Sequence, residues 1–533
     1  MTPPVQSSKM SLGQLARFGA VAVQLALLTL VVRTFDIESG AFFRVMVIAC
    51  GGFVVHHLAP ARLRLPLFVF ISLAGIVTVL GPANAAQIVG IGLLMIGLAH
   101  LPLRFGARVV LILAVGALLA AARVGVLRAP PSSAIWPIFG AMFMFRMIVY
   151  LYDLKNRAAP FGPWRALAYF FMLPNVCFPL FPVIDYKSFC RTYYDDEDVR
   201  IYQTGVEWIF NGIVQLLIYR WVYQNLLVGP DSVATASQAA LFLFAAYAMY
   251  LKISGSFHMI VGILHVFGFN LGPTNNKYFL SESFTDYWRR INIYWKDFLQ
   301  KVFFNPIYFR LNKRMGATRS LVLATLAAFF VTWALHSYQW FWIRGNFPVI
   351  WQDIAFWSIM GLLVLGNMLY ENRYGRQRSL KKAKVSAASG AKLALRTIAT
   401  FVVICVSWVI WSAESFGEVT MVLGKLARPD ARALLSIVLG LGTLGVVAVL
   451  VARHERGRAS GALARAKRKG PAPIWGRAYQ VAAACAAIMF IAYAPLVIDI
   501  NPVISNTVDN LKTSRLNARD ARMLDRGYYE DLT

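Results

Sequence analysis

Long apolar stretches recur from one end of this chain to the other, and they constrain its fold more than any other feature. A helix needs about 20 residues to cross the hydrocarbon core of a bilayer. Inside that core every backbone N–H and C=O must be bonded internally, which leaves helices or closed barrels. The stretches are continuous rather than alternating, so helices are predicted. Candidate spans cover residues 15–32, 41–55, 65–80, 85–98, 109–122, 134–152, 205–227, 233–253, 257–271, 320–342, 350–370, 393–411, 433–451 and 478–497. The expectation is an all-α, polytopic integral membrane protein with about 12–15 transmembrane helices.

Only 15% of the 533 residues are charged, yet the formal net charge is +28. The cations concentrate in short connections at 56–64, 104–108, 155–165, 373–392 and 453–477, whereas 36–40 and 81–84 are not basic. Arg123 and Arg128 depart from this alternation. The bias predicts a cytoplasmic N-terminus, a multi-pass protein of the inner (cytoplasmic) membrane surrounded by lipid, and a polar tail at 501–533 on the far side. That tail either docks an extracytoplasmic partner or frays. No basic soluble domain is present, so a nucleic-acid partner is not expected. The first apolar run is long and followed by more spans, so it reads as a transmembrane helix rather than a cleaved signal.

Few residues outside the centre suggest chemistry. Cys50, Cys177, Cys190, Cys405 and Cys485 form no ligand-spaced set, so neither a metal nor a disulfide framework is expected. Cys50, Cys405 and Cys485 read as small core residues. His56, His57 and His100 end apolar runs and read as polar residues at the membrane interface. The run at 168–189 carries Pro174, Pro179 and Pro182, which remove backbone donors and break helices. Such backbone survives at membrane depth only when buried in protein or lining a cavity, so a broken or re-entrant helix is predicted. Asp195, Asp196, Glu197 and Asp198 follow and read as a solvated loop.

The stretch from Ser283 to Gly345 is different. Ser283 and Asp286 have the spacing of a helix start. Asn305-Pro306 reads as its end. The segment is too polar to span and is expected at the interface or dipping into the bilayer. On a 3.6-residue period Trp288, Asn292, Trp295 and Leu299 share one face, with Arg289 and Lys296 beside it and Arg290 within reach of Asp286. A buried amide without partners costs about 1–3 kcal/mol, so Asn292 must bond protein, water or substrate. His336 lies deep in an apolar run, with Thr332, Trp333, Gln339 and Trp340 as helical neighbours. An ionisable group there commonly faces a water-filled cavity. His336 is either a general base or a structural imidazole bonded to a neighbouring helix.

The central third resembles the membrane-bound O-acyltransferase family. Its bacterial polysaccharide branch carries a motif like DFWRRWHISLSxW, followed by a helix ending in a Trp-His pair. This chain has TDYWRRINIYWKDF and then WALHSYQWFWIRG, with Trp333 and His336 two residues further apart. GAMFMFRMIVYLYDLKNR and the proline-rich FFMLPNVCFPLFPVIDYKSF resemble two upstream family segments. Together these cover roughly 140–370, between N-terminal helices at 1–139, C-terminal helices with basic loops at 371–500, and the tail. Asn292 stands where bacterial polysaccharide members often carry His and many eukaryotic members carry Asn. Ser337 replaces a usual Gly, and the Gly before Pro182 is missing.

The resemblance implies acyl transfer from a thioester to a hydroxyl in a central polar channel ringed by helices. It implies His336 as general base and Asn292 orienting the acceptor or steadying the oxyanion. Trp288, Trp295 and Gln339 would line the substrate site. Arg289, Arg290 and Lys296 would either hold donor phosphates or anchor the interface. No cofactor is needed beyond an acyl-CoA or acyl-carrier donor, and the acceptor would be a cell-envelope glycan or another hydroxyl. Many spans with buried polar groups also suit a transporter or flippase for an envelope precursor. That reading predicts internal repeats, and none are visible.

Overall fold

The computed structural model describes residues 11–127, 135–158, 162–227, 229–374, 387–465 and 474–493. Among these residues the chain is helical, and ten helices are long and apolar enough to cross a membrane. The expected tail at 501–533, most of the basic connection at 373–392, part of that at 453–477, Arg128, and the end of the last span lie outside the described residues.

The first third follows the apolar runs: Leu12–Thr34, Gly40–Leu58, Ala61–Ala99, Phe105–Arg123 and Ile135–Lys155. Ala61–Ala99 is two expected spans merged across a kink, where Gly81 takes φ +77° just before Pro82. Further on the spans differ from expectation. The runs at 233–253 and 257–271 form one 31-residue unit, Ala236–Val266, with its bend at Met249 rather than near residue 255. The run at 205–227 falls, but for its last two residues, within Asp198–Asn225, which carries Gln203, Glu207, Asn211 and Gln215 and is not among the ten apolar helices.

Asp198–Asn225 and Tyr250–Val266 pack backbone against backbone, because glycines on both helices let them touch. A Cβ on Gly262 would stand 2.7 Å from the Gly205 carbonyl, and one on Gly212 would stand 2.6 Å from that of Gly255. Small residues at such crossings are how membrane helices gain packing where no hydrophobic force drives them together.

The proline-rich stretch leaves regular helix as expected. Pro163–Phe170 ends, a short turn covers Leu173–Val176, and irregular backbone continues to Asp185, largely buried. Arg146, fully buried on Ile135–Lys155, fixes this segment by donating to the Tyr169 and Phe170 carbonyls and to Asn175.

One expectation for a polar side chain needs correction. His56 is fully buried rather than interfacial, and His57 and His100 are bonded to tyrosines. Hydroxyls supply the partners: Tyr194 bonds both His56 and Tyr202, and Tyr202 reaches His57 at 3.2 Å. The acidic run is the exposed loop expected at Asp195–Glu197, leading into a helix at Asp198, and its carboxylates also find partners. Arg64 meets Asp198 at 2.9 Å, Arg17 meets Glu197 at 3.4 Å, and Asn270 donates to Asp195 at 2.8 Å. The five cysteines are free thiols; Cys405 and Cys485 are buried and Cys50 half-buried.

Candidate active site

His336 is carried by Ala317–Arg344, a 28-residue helix bounded by glycines at positive φ, Gly316 at +80° and Gly345 at +81°. At about 1.5 Å per residue, the imidazole lies roughly 28 Å from the helix start and roughly 12 Å from its end. Its Nδ1 is 2.8 Å from the Thr332 carbonyl. That carbonyl can only accept, so in the neutral imidazole Nδ1 carries the proton and Nε2 holds the lone pair. Among the described residues Nε2 has no hydrogen-bond partner, and His336 is only partly buried. Its ring sits between two indoles, Trp295 and Trp357, each 4.7 Å away centroid to centroid.

The central polar stretch reaches His336 by breaking. Ser283 accepts from the Asp286 N–H at 3.1 Å and starts Phe284–Arg290, as its spacing predicts. The single amphipathic helix expected from there is not what forms. The chain turns at Ile291 and Asn292, and a second helix runs Ile293–Leu299. Asn292 takes φ +37°, ψ +60°, the left-handed conformation that Asn tolerates better than most residues. Its side-chain oxygen caps the second helix by accepting from the Trp295 N–H at 3.3 Å. A neighbouring segment stitches the break. Asn275 accepts from the Asn292 N–H at 2.8 Å, and the Thr274 carbonyl accepts from the Ile293 N–H at 2.8 Å.

Asn305-Pro306 does not end the helix. A π-helical turn, Gln300–Phe304, runs straight into Asn305–Met315, with the proline in the first turn, where its missing N–H costs nothing.

These elements enclose a cavity of about 130 Å³ lined by His336, Asn292, Gln339, Trp288, Trp295 and Trp357, with Tyr250, Trp340 and Trp408 among the others. Trp288, Asn292 and Trp295 thus share the cavity wall with His336, Trp295 touching the imidazole, while Leu299 goes into the core. The Asn292 Nδ2 and the Gln339 amide have no hydrogen-bond partner among the described residues. One lone pair and two amides thus converge on one small volume.

Arg289, Arg290 and Lys296 lie outside this cavity, and each faces a carboxylate. Arg289 is 3.9 Å from Glu371, Arg290 is 2.8 Å from Asp286, and Lys296 is 2.6 Å from Asp297.

Two larger cavities flank the first. One of about 340 Å³ shares Tyr250, Trp340, Trp408 and Trp411 with it and extends to Arg344 and Asp353 at the C-terminal end of the His336 helix. The other, about 840 Å³, shares Val183 with it and lies across Ile293–Leu299, reaching Asn305 and Phe309 at the opposite, basic end.

Lys301 lines this 840 Å³ cavity between Asp153 and Asp185, contacting both. Burial alone would lower the Lys301 ammonium, but the two carboxylates outweigh it and raise it above the ordinary lysine range. Asp185 also caps Tyr186–Arg191, and Asp153 accepts the Lys187 N–H, so this triad locks three segments together. Sequence reasoning missed it. A lone acid in the apolar run at 135–155 was the available signal.

The chain matches no model of a known protein family and no curated protein.

Proposed function

We propose that this chain is a membrane-bound O-acyltransferase. It moves an acyl group, acetyl in the simplest case, from a cytoplasmic thioester to a hydroxyl of a cell-envelope glycan or related acceptor. One observation carries this reading: a His336 imidazole with Nδ1–H tied to Thr332 and Nε2 open, in a cavity shared with the Asn292 and Gln339 amides. A neutral imidazole held in that tautomer is the form a general base requires.

In the proposed reaction His336 Nε2 takes the proton from the acceptor hydroxyl as its oxygen attacks the thioester carbonyl. The new C–O bond forms and the C–S bond breaks. The imidazolium then returns the proton to the leaving thiolate, so an ester and a thiol result and His336 is neutral again. The amide N–H groups of Asn292 and Gln339 are suited to the oxyanion of the tetrahedral intermediate, where one fixed donor is typically worth about 10²–10³ in rate.

The small cavity shares wall residues with each of the two larger ones, Val183 with one and Tyr250, Trp340, Trp408 and Trp411 with the other, which supports a channel through the protein. In this reading the buried irregular backbone after Phe170 and the broken helix at Asn292 are the re-entrant elements around it. The donor enters at the basic end, placed in the cytoplasm by the positive-inside bias. The acceptor enters at the Arg344 end, the shorter path to the imidazole.

The test is incubation of membranes with labelled acetyl-CoA. Label should pass to envelope glycans with the wild type and not with His336→Ala, which inserts and melts normally. Undiminished transfer by His336→Ala refutes the reading. Movement of an unmodified envelope precursor without acylation would favour a flippase instead.

A further inference from the structure

The donor end of the proposed channel leaves a second binding problem unsolved. A pantetheine thioester is long, and its far end carries phosphate. The cations expected to meet that phosphate, Arg289, Arg290 and Lys296, lie outside the cavities and already face carboxylates. Lys301 does line the 840 Å³ cavity, but two carboxylates surround it, so the triad is net negative.

A different group of cations stands at the mouth. The helix Asn305–Met315 places Asn305, Pro306 and Phe309 in the wall of the 840 Å³ cavity. Arg310, next to Phe309, and Lys313 and Arg314, about one turn further, are exposed, and none of them makes an ion pair with a described residue. Phe309, in the cavity wall on the same helix, is itself 61% exposed. The helix has no fully buried residue. It lies at the surface rather than packed into the core.

The inner end of the same cavity lies against the His336 site. Ile293 and Phe298 line the outer cavity, whereas Asn292 and Trp295 on the same short helix line the inner one. A ligand with an anionic head, a long uncharged arm and a reactive carbonyl at its tip fits that order: cations, then cavity, then imidazole.

The geometry points to Arg310, Lys313 and Arg314 as the site that holds the phosphate end of a phosphopantetheine thioester, with the arm lying in the 840 Å³ cavity. This inference rests on the acyltransferase reading. The shared chemistry is the phosphate on the pantetheine arm, whether it belongs to a free nucleotide-bearing thioester or to one attached to a carrier protein.

The experiment compares three donors on purified full-length protein: acetyl-CoA, acetyl-pantetheine, which has no phosphate, and an acetylated phosphopantetheinyl carrier protein. In the double variant Lys313→Glu/Arg314→Glu, KM for acetyl-CoA should rise roughly tenfold or more at low salt, with kcat little changed. The advantage of acetyl-CoA over acetyl-pantetheine should shrink by the same factor. In the wild type, KM for acetyl-CoA should rise with ionic strength, and the variant should lose that dependence.

A carrier-linked donor shifted as much as acetyl-CoA assigns the contact to the shared phosphate. A larger carrier shift adds the carrier's own surface, and either result sustains the inference. Equal loss with acetyl-CoA and acetyl-pantetheine overturns it, since the helix would then serve the fold or the lipid surface. So does an unchanged KM for acetyl-CoA. Failure of the acyltransferase reading looks different: no donor is used by the wild type, or His336→Ala transfers as well as it does.

Discussion

Asn292 has two separable jobs in this structure, and a pair of substitutions can split them. Its oxygen caps Ile293–Leu299, its backbone sits at φ +37°, and its Nδ2 faces the His336 cavity without a partner among the described residues. Asn292→Ala removes the cap, at about 1 kcal/mol, and leaves a Cβ-bearing residue without a polar side chain in left-handed backbone, at about 1–2 kcal/mol. The sum is a destabilisation of roughly 2–3 kcal/mol. Asn292→Gly behaves otherwise. Glycine takes positive φ freely and weakens an N-cap by only a few tenths of a kcal/mol, so stability should stay within about 1 kcal/mol of wild type. The bond from the Asn292 N–H to Asn275 is made by backbone and survives in both variants. Both lose the amide donor, so both should lose about 10²–10³ in the rate of acyl transfer. Thermal unfolding in detergent, followed by tryptophan fluorescence, reads stability, and single-turnover transfer reads chemistry. Activity that tracks stability, with Asn292→Gly near wild type and Asn292→Ala impaired, would refute the catalytic role and leave Asn292 as a cap. Lys296→Ala, outside the cavity, should cost less activity than Asn292→Ala.

The remaining predictions concern the scaffold. Lys301→Met leaves Asp153, 1% exposed, beside Asp185 without their shared cation, and breaking a buried pair in this way typically costs about 3–5 kcal/mol; denaturation should show a large loss that Lys301→Met/Asp153→Asn partly restores. Because the folded ammonium is raised above the unfolded one, its contribution is complete below the ordinary lysine range and lost only as pH climbs through the raised value, so unfolding of the wild type should be insensitive to this group from about pH 6 to 9. Gly262→Ala drives a Cβ to 2.7 Å from the Gly205 carbonyl and should cost about 1–3 kcal/mol, while Gly97→Ala, with nothing within 4 Å, should be neutral or slightly stabilising by the same melting assay.

The spans were readable because apolar length is a one-dimensional signal. Every run in the first third became a helix within a few residues of its expected limits. Periodicity failed where the backbone left the helix for one residue. Trp288, Asn292, Trp295 and Leu299 keep helical spacing across Asn292, so the pattern alone gives no sign that Asn292 turns left-handed. What fixes the break is Thr274–Asn275, which the sequence places well upstream of it. The Lys301 triad was invisible for a similar reason: its carboxylates lie 148 and 116 residues away along the chain. The buried His56 escaped because Tyr194 and Tyr202, whose hydroxyls give it company, belong to a different segment.

The bond from His336 to Thr332 is not in itself a mark of catalysis. His258 bonds the Ser254 carbonyl at 2.7 Å, and His265 bonds that of Val261 at 2.8 Å, each four residues back as in His336. An imidazole in an apolar helix meets its need for a partner this way wherever it occurs. The difference lies at the other nitrogen. His265 is fully buried with Nε2 sealed inside the protein, whereas His336 is partly open on a cavity that also exposes two amides. The helix prepares the same tautomer in both, and only the wall opposite decides whether the lone pair can reach a substrate. At His336 that wall is the broken segment, so the substitution that should separate a base from a spectator is at Asn292 rather than in the helix that carries the imidazole.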